Sequence, residues 1–211
     1  VLHYYNKTFH PMEQEPMFVT PFIYAATMAA PIIFPSLFWK KKHAGMKTLF
    51  YNVSRESENP YIDEPTSISI YDPDTQHHFK VHDIYEDECY EELCKLLTVV
   101  AGANELVYLA TYDCEMKSVR FKSIMEEYLE NSGKQYRFLD IKKSFYLVRP
   151  LISKISYMEM KEYYKVPRLD CKPLEYCAIF DQIMQDFDVN IDNDVEKMNL
   201  IYNHINPFQK T

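Results

Sequence analysis

From Phe18 to Trp39 the chain carries no charged residue, and beyond Gly45 it changes to short apolar runs separated by polar stretches. The second pattern predicts alternating strands and helices. Lys47–Val53 (KTLFYNV) is rich in aromatic and β-branched residues and reads as a strand. Thr66–Tyr71 alternates, with Ile68 and Ile70 on one face and Ser67 and Ser69 on the other. Asp72-Pro73-Asp74-Thr75 is a turn, and His77–His82 is the returning strand. Asp87 opens a helix on Cys89, Tyr90, Leu93, Leu96, Leu97 and Val100, which Gly102 ends. Glu105–Thr111 reads as a buried strand, Met116–Asn131 as an amphipathic helix, and Gln135–Ile141 as a further strand. Helices follow over Lys142–Val148, Ser156–Tyr164, Cys171–Phe187 and Asp194–His204, with Asp192 capping the last. Ser156 and Glu159 have the spacing of a capping box. Three antiparallel strands followed by βαβ units predict an α/β fold, one mixed sheet flanked by helices.

The uncharged run predicts one transmembrane helix over residues 17–43, ahead of that domain. About 20 helical residues rising ~1.5 Å each cross a hydrocarbon core of ~30 Å. Thr20-Pro21 suits a helix start. Trp39 followed by Lys40, Lys41, Lys42 and His43 suits an exit at the interface. The alternative is a buried helix of a globular domain, broken at Pro31 and Pro35. Ala25 with Ala29 and Ala26 with Ala30 form small-residue pairs four apart, a face on which another helix could pack in lipid. Residues 1–16, with Tyr4, Tyr5, Phe9 and Met12, read as an extended arm lying on a partner or on the bilayer surface. The expected division is therefore arm 1–16, span 17–43, domain 44–190, and a C-terminal helix and tail 191–211.

Composition narrows the chemistry. A net charge of −8 over 211 residues does not suit a general nucleic-acid binder, whose affinity rests on cations against phosphate. Three glycines leave no phosphate loop, dinucleotide fingerprint or nucleophile elbow. Cys89, Cys94, Cys114, Cys171 and Cys177 include no C-x-x-C pair and read as reduced thiols. Cys171 and Cys177 fall on different faces of one helix, which argues against a disulfide. His78 and His82 share a strand face, without the further ligands that zinc spacing requires. No metal or cofactor is expected.

The order of elements resembles the ribonuclease-H-like fold of DnaQ-type (DEDD) 3′–5′ exonucleases over residues 47–187. LFYNVSRESENPYIDEPTSISIYD is similar to the family's first two strands, the first of which bears D-x-E. The strand ending in Leu139-Asp140-Ile141 is similar to its Asp-Thr strand. ISYMEMKEYYKVP and CKPLEYCAIFDQIM resemble its last two helices. The family's chemistry uses four carboxylates around two divalent metals ~4 Å apart and a base that activates water. The resemblance places the D-x-E pair on Asn52 and Ser54, the base histidine on Cys171 and the last aspartate on Glu175. A second-motif aspartate falls near Lys117 and Ser118, with Asp113 and Glu115 close by. Asn52 and Ser54 lack the charge that a hard cation requires. The resemblance therefore implies a pseudo-exonuclease and no enzyme activity.

Two functions remain open. One is a non-catalytic, membrane-anchored accessory subunit of a larger complex, held to other subunits by the span and the arm. An oxidative-phosphorylation complex of the mitochondrial inner membrane would suit it, given the start at Val1, which reads as trimmed, and the acidic domain. The other is a divergent exonuclease-like factor that processes or binds nucleic acid; the acidic balance counts against it.

Overall fold

Met46–Arg55 (β1) holds the centre of a five-stranded mixed sheet, with Leu49 and Tyr51 packed on one of its faces and Met46 and Phe50 on the other. The structure is a computed structural model that describes residues 45–55, 65–82, 87–114, 119–189 and 194–207. The sheet continues with Pro65–Asp72 (β2), His77–His82 (β3), Leu106–Thr111 (β4) and Gln135–Asp140 (β5), in spatial order β3-β2-β1-β4-β5. β1 runs antiparallel to β2 and β2 antiparallel to β3, whereas β4 lies parallel to both β1 and β5. Among the described residues the helices are Asp87–Ala101 (α1), Val119–Leu129 (α2), Ile141–Val148 (α3), Tyr157–Tyr163 (α4), Lys172–Asp186 (α5) and Val195–Ile205 (α6).

Alternation along the strands builds two cores. Leu49 and Tyr51 of β1 join Ile68, Ile70, Phe79, Val107, Leu109 and Phe138 under α1 and α2. Met46 and Phe50 point the other way and join Tyr71, Tyr108 and Leu139 under α3, α4, α5 and α6. β4 is buried along its whole length, as a parallel strand covered on both faces must be. Phe50 meets Phe180 of α5 edge-on at 5.8 Å, and each such side chain contributes roughly 1.5–3 kcal/mol by leaving water. α6 shares this core through Met198, Ile201, Tyr202 and Ile205.

Local chemistry sets the ends of the elements. Gly102 closes α1 at φ +59°, a conformation that costs a glycine little. Ser156 accepts from the Glu159 N–H at 3.3 Å while Glu159 accepts from the Ser156 N–H at 2.7 Å, the capping box of α4. The cap of α6 is Asp194, not Asp192: its carboxylate accepts from the Lys197 N–H at 3.1 Å.

The membrane span is a correction to the sequence reading. Among the described residues no helix is long and apolar enough to cross a membrane. The longest have 15 residues, about 22 Å of helix against a core of ~30 Å. Residues 1–16 and 17–43, with Ala25, Ala26, Ala29 and Ala30, lie outside the described residues. The fold is α/β, a mixed sheet flanked by helices, with no transmembrane helix among the described residues.

Candidate functional site

Strand alternation carries Asn52 and Ser54 onto the same face as Phe50, opposite Ser69 and Ser67 of β2. α5 lies across that face and brings its first turns over Asn52. The Tyr176 hydroxyl donates to the Asn52 Oδ1 at 2.9 Å, joining residues 124 positions apart. The side of Asn52 that would serve a cation as a carboxylate is thus an amide oxygen already used by a phenol.

Tyrosines fill the space beside it. The ring of Tyr112, just beyond β4, lies 5.4 Å from that of Tyr157 on α4 and 6.4 Å from that of Tyr176. Tyr157 and Tyr176 meet edge-on at 5.5 Å. Tyr112 also donates to the Ile155 carbonyl at 3.1 Å. Burial raises the hydroxyls of all three above tyrosine's ordinary range; at Tyr157 the hydrogen bond to Glu175 adds to it. They remain neutral donors at physiological pH.

Glu175 is buried at 5 % exposure and fully engaged. Its Oε1 accepts from the Lys161 Nζ and from the Leu169 N–H at 3.0 Å, and its Oε2 from the Tyr157 hydroxyl. Burial acts to raise this carboxyl, but the ammonium, the phenol and the N–H outweigh it and hold it below the usual glutamate value. Glu175 therefore ties α4, the chain before α5 and α5 together as a charged, hydrogen-bonded knot. Cys171 stands at the N-cap of α5 with extended backbone and no side-chain cap bond. Burial pushes its thiol up to about 11, so it is neither a thiolate nor a general base at neutral pH.

The neighbouring acids are also occupied. Asp140 caps α3, accepting from the N–H groups of Lys142 at 2.9 Å and Lys143 at 3.2 Å, and its other oxygen accepts from the Cys114 N–H at 2.7 Å. Burial pushes its carboxyl up, against the pull of those N–H groups. Asp113 pairs with the Lys142 Nζ at 2.9 Å. Glu115, Lys117 and Ser118 lie outside the described residues. Among the described residues no group of three His, Cys, Asp or Glu side chains could hold a metal ion. His78 and His82 do share a face, opposite Tyr71 and Ser67, and the His78 Nε2 contacts the Ser69 hydroxyl.

The structure thus brings Asn52 and Glu175 to one centre through Tyr176, with Cys171 at the start of the same helix. Sequence reasoning missed Tyr112, Tyr157, Tyr176 and Lys161. Two local signals were present: Tyr157 and Lys161 stand four apart on α4, and Tyr176 follows Glu175. No protein-family model matches the chain, and no curated protein matches it significantly.

Proposed function

We propose that this chain is a non-catalytic accessory subunit of a larger protein complex, with a degenerate exonuclease-like domain serving as a structural block. Three antiparallel strands followed by two parallel ones, with α5 crossing β1, support the resemblance to the ribonuclease-H-like exonucleases. One observation carries the loss of catalysis. The centre where that family gathers carboxylates holds Asn52 bonded to Tyr176, and Glu175 there is taken by Lys161, Tyr157 and Leu169. Two divalent ions ~4 Å apart need several free carboxylate oxygens, and among the described residues no group of three His, Cys, Asp or Glu side chains could hold one.

The test uses the full chain with Mg²⁺ or Mn²⁺ and single-stranded DNA or RNA, beside isolation of the native chain with its partners. The expected result is no cleavage above buffer, and co-isolation with other subunits in fixed ratio. Cleavage that Asn52→Ala abolishes would overturn the reading in favour of a divergent nuclease. So would a native chain that runs alone as a monomer.

A further inference from the structure

Strand register sets a row of polar side chains across three neighbouring strands. Asn52 of β1 pairs with Ser69 of β2, and Ser69 pairs with Lys80 of β3. His78, two residues before Lys80, shares that face and stands opposite Tyr71. This is the face of Phe50 and Tyr71, yet Asn52, Ser69, His78 and Lys80 are each only half-buried. At the centre of the row the Ser69 hydroxyl and the His78 Nε2 are in hydrogen-bond contact.

A serine hydroxyl is a weak nucleophile until an adjacent base accepts its proton. The surroundings of His78 suit it to that task. Burial and the Lys80 ammonium push its imidazole below histidine's ordinary value, while Asp170, exposed and just ahead of α5, pulls the other way. Burial raises the hydroxyl of Tyr71 on the facing strand, so that group is neutral. With its proton on Nδ1, the neutral ring presents the Nε2 lone pair to Ser69. Donors stand on either side of the serine. Residues paired across strands have Cβ atoms ~4.5–5.5 Å apart, which puts the Lys80 stem and the Asn52 amide beside Ser69. The Asn52 Oδ1 already accepts from Tyr176 at 2.9 Å, so its N–H groups are the part that donates elsewhere. Donors placed beside a nucleophile stabilise the oxyanion of acyl transfer. A phosphoryl group would carry more negative charge toward Asp170, whereas an attacked acyl carbonyl develops a single one.

We propose that Ser69 is a reactive serine that accepts an acyl group from an activated ester or thioester, with His78 as its base and Lys80 and Asn52 as donors to the oxyanion. The Ser69 Oγ bonds to the acyl carbon while its proton passes to the His78 Nε2, and the carbonyl electron pair moves onto oxygen. Collapse of that oxyanion breaks the bond to the leaving group, which departs with the bonding pair and takes the proton from His78. The acyl group stays on Ser69, so the chain is a stoichiometric acceptor and turns nothing over. The inference goes beyond the accessory-subunit reading and does not rest on it.

The test treats the full chain with p-nitrophenyl acetate and follows acetylation by peptide mass spectrometry. One acetyl group per chain should appear on Ser69, and Ser69→Ala should remove it. His78→Gln should slow labelling of Ser69 at least ~100-fold, with circular dichroism confirming the fold. The rate in the wild type should rise with pH and level off, with a midpoint below the ordinary ~6.5. Lys80→Ala should move that midpoint upward, because a cation that depresses the imidazole is gone. Acetylation confined to lysines and unchanged by Ser69→Ala would overturn the proposal. So would equal labelling of Ser69 in folded His78→Gln, since the hydrogen bond would then be a cross-strand contact alone. Either failure leaves the nuclease and co-isolation results standing, so the two readings fail separately.

Discussion

Replacing Lys161 by methionine tests whether the Glu175 knot is a buried ionic centre. Both partners are nearly inaccessible, Lys161 at 8 % and Glu175 at 5 %, and methionine keeps the length of the stem while removing the charge. The carboxylate would be left buried with the Tyr157 hydroxyl and the Leu169 N–H as its remaining donors. Breaking one side of a buried pair costs about 3–5 kcal/mol, and the two surviving donors place this case near ~3 kcal/mol. For a domain of this size each kcal/mol moves the melting temperature by ~2–4 °C, giving a fall of about 6–12 °C. Adding Glu175→Gln removes the stranded charge and should recover at least ~1 kcal/mol, a coupling that a double-mutant cycle reads directly. The pH dependence has a definite sign. The Glu175 carboxyl is held below its ordinary value in the folded chain, so its contribution is complete above the unfolded value near ~4.3 and is lost as pH falls through the folded one. The gap between wild type and Lys161→Met should therefore close in acid, where protonated Glu175 no longer needs a counter-charge. Calorimetric melts at neutral pH and in acid suffice. A loss under ~1 kcal/mol, or one that does not change with pH, would mean that the pair behaves as a solvated surface bridge and that the centre is open to water.

Three further outcomes follow from described contacts. The Thr48 hydroxyl is buried with no partner among the described residues, so Thr48→Val should leave stability unchanged or raise it by up to ~1 kcal/mol in a thermal melt. Asp140→Ala strips the cap of α3 and strands the Cys114 N–H; it should cost ~2–4 kcal/mol, seen as a lower urea midpoint at constant slope. The hydroxyls of Tyr71, Tyr108, Tyr112, Tyr157 and Tyr176 are all raised by burial. Their protonated forms therefore favour the folded chain, and stability should be full below pH ~10 and fall as pH rises above it. Tyrosinate absorbance should then appear together with loss of circular dichroism; ionisation of these groups without unfolding would contradict their burial.

The strands and most helices were legible because their side chains obey local periods. Ile68 and Ile70 against Ser67 and Ser69 fixed the faces of β2, and pairing with β1 then placed Asn52 opposite Ser69. The Ser156–Glu159 box was legible because both partners lie within one turn. What was not legible depends on the tertiary fold. Lys161 on a helix reads as a solvated cation, and only the return of the chain to α5 places Glu175 against it, 14 residues on. The tyrosine cluster draws Tyr112, Tyr157 and Tyr176 from separate elements, and no spacing announces that. Asp192 and Asp194 are equivalent by composition; the backbone chose the second. The expected span shows the limit of hydropathy, since length and flanks measure compatibility with a bilayer and the described helices are the short covers of a sheet.

The central position of β1 has a consequence for synthesis. The strand leaves the ribosome before the rest of the sheet, but its Phe50 face is covered by α5, which is made more than a hundred residues later. At ~5–20 residues per second, Phe50 and its neighbours wait about 6–25 s for that cover. During this interval the nascent chain presents a bare apolar sheet face, a ready substrate for chaperones that hold unfinished chains. Pausing or truncating translation before residue 172 should therefore give chains that chaperones retain, and release should coincide with the emergence of residues 172–186.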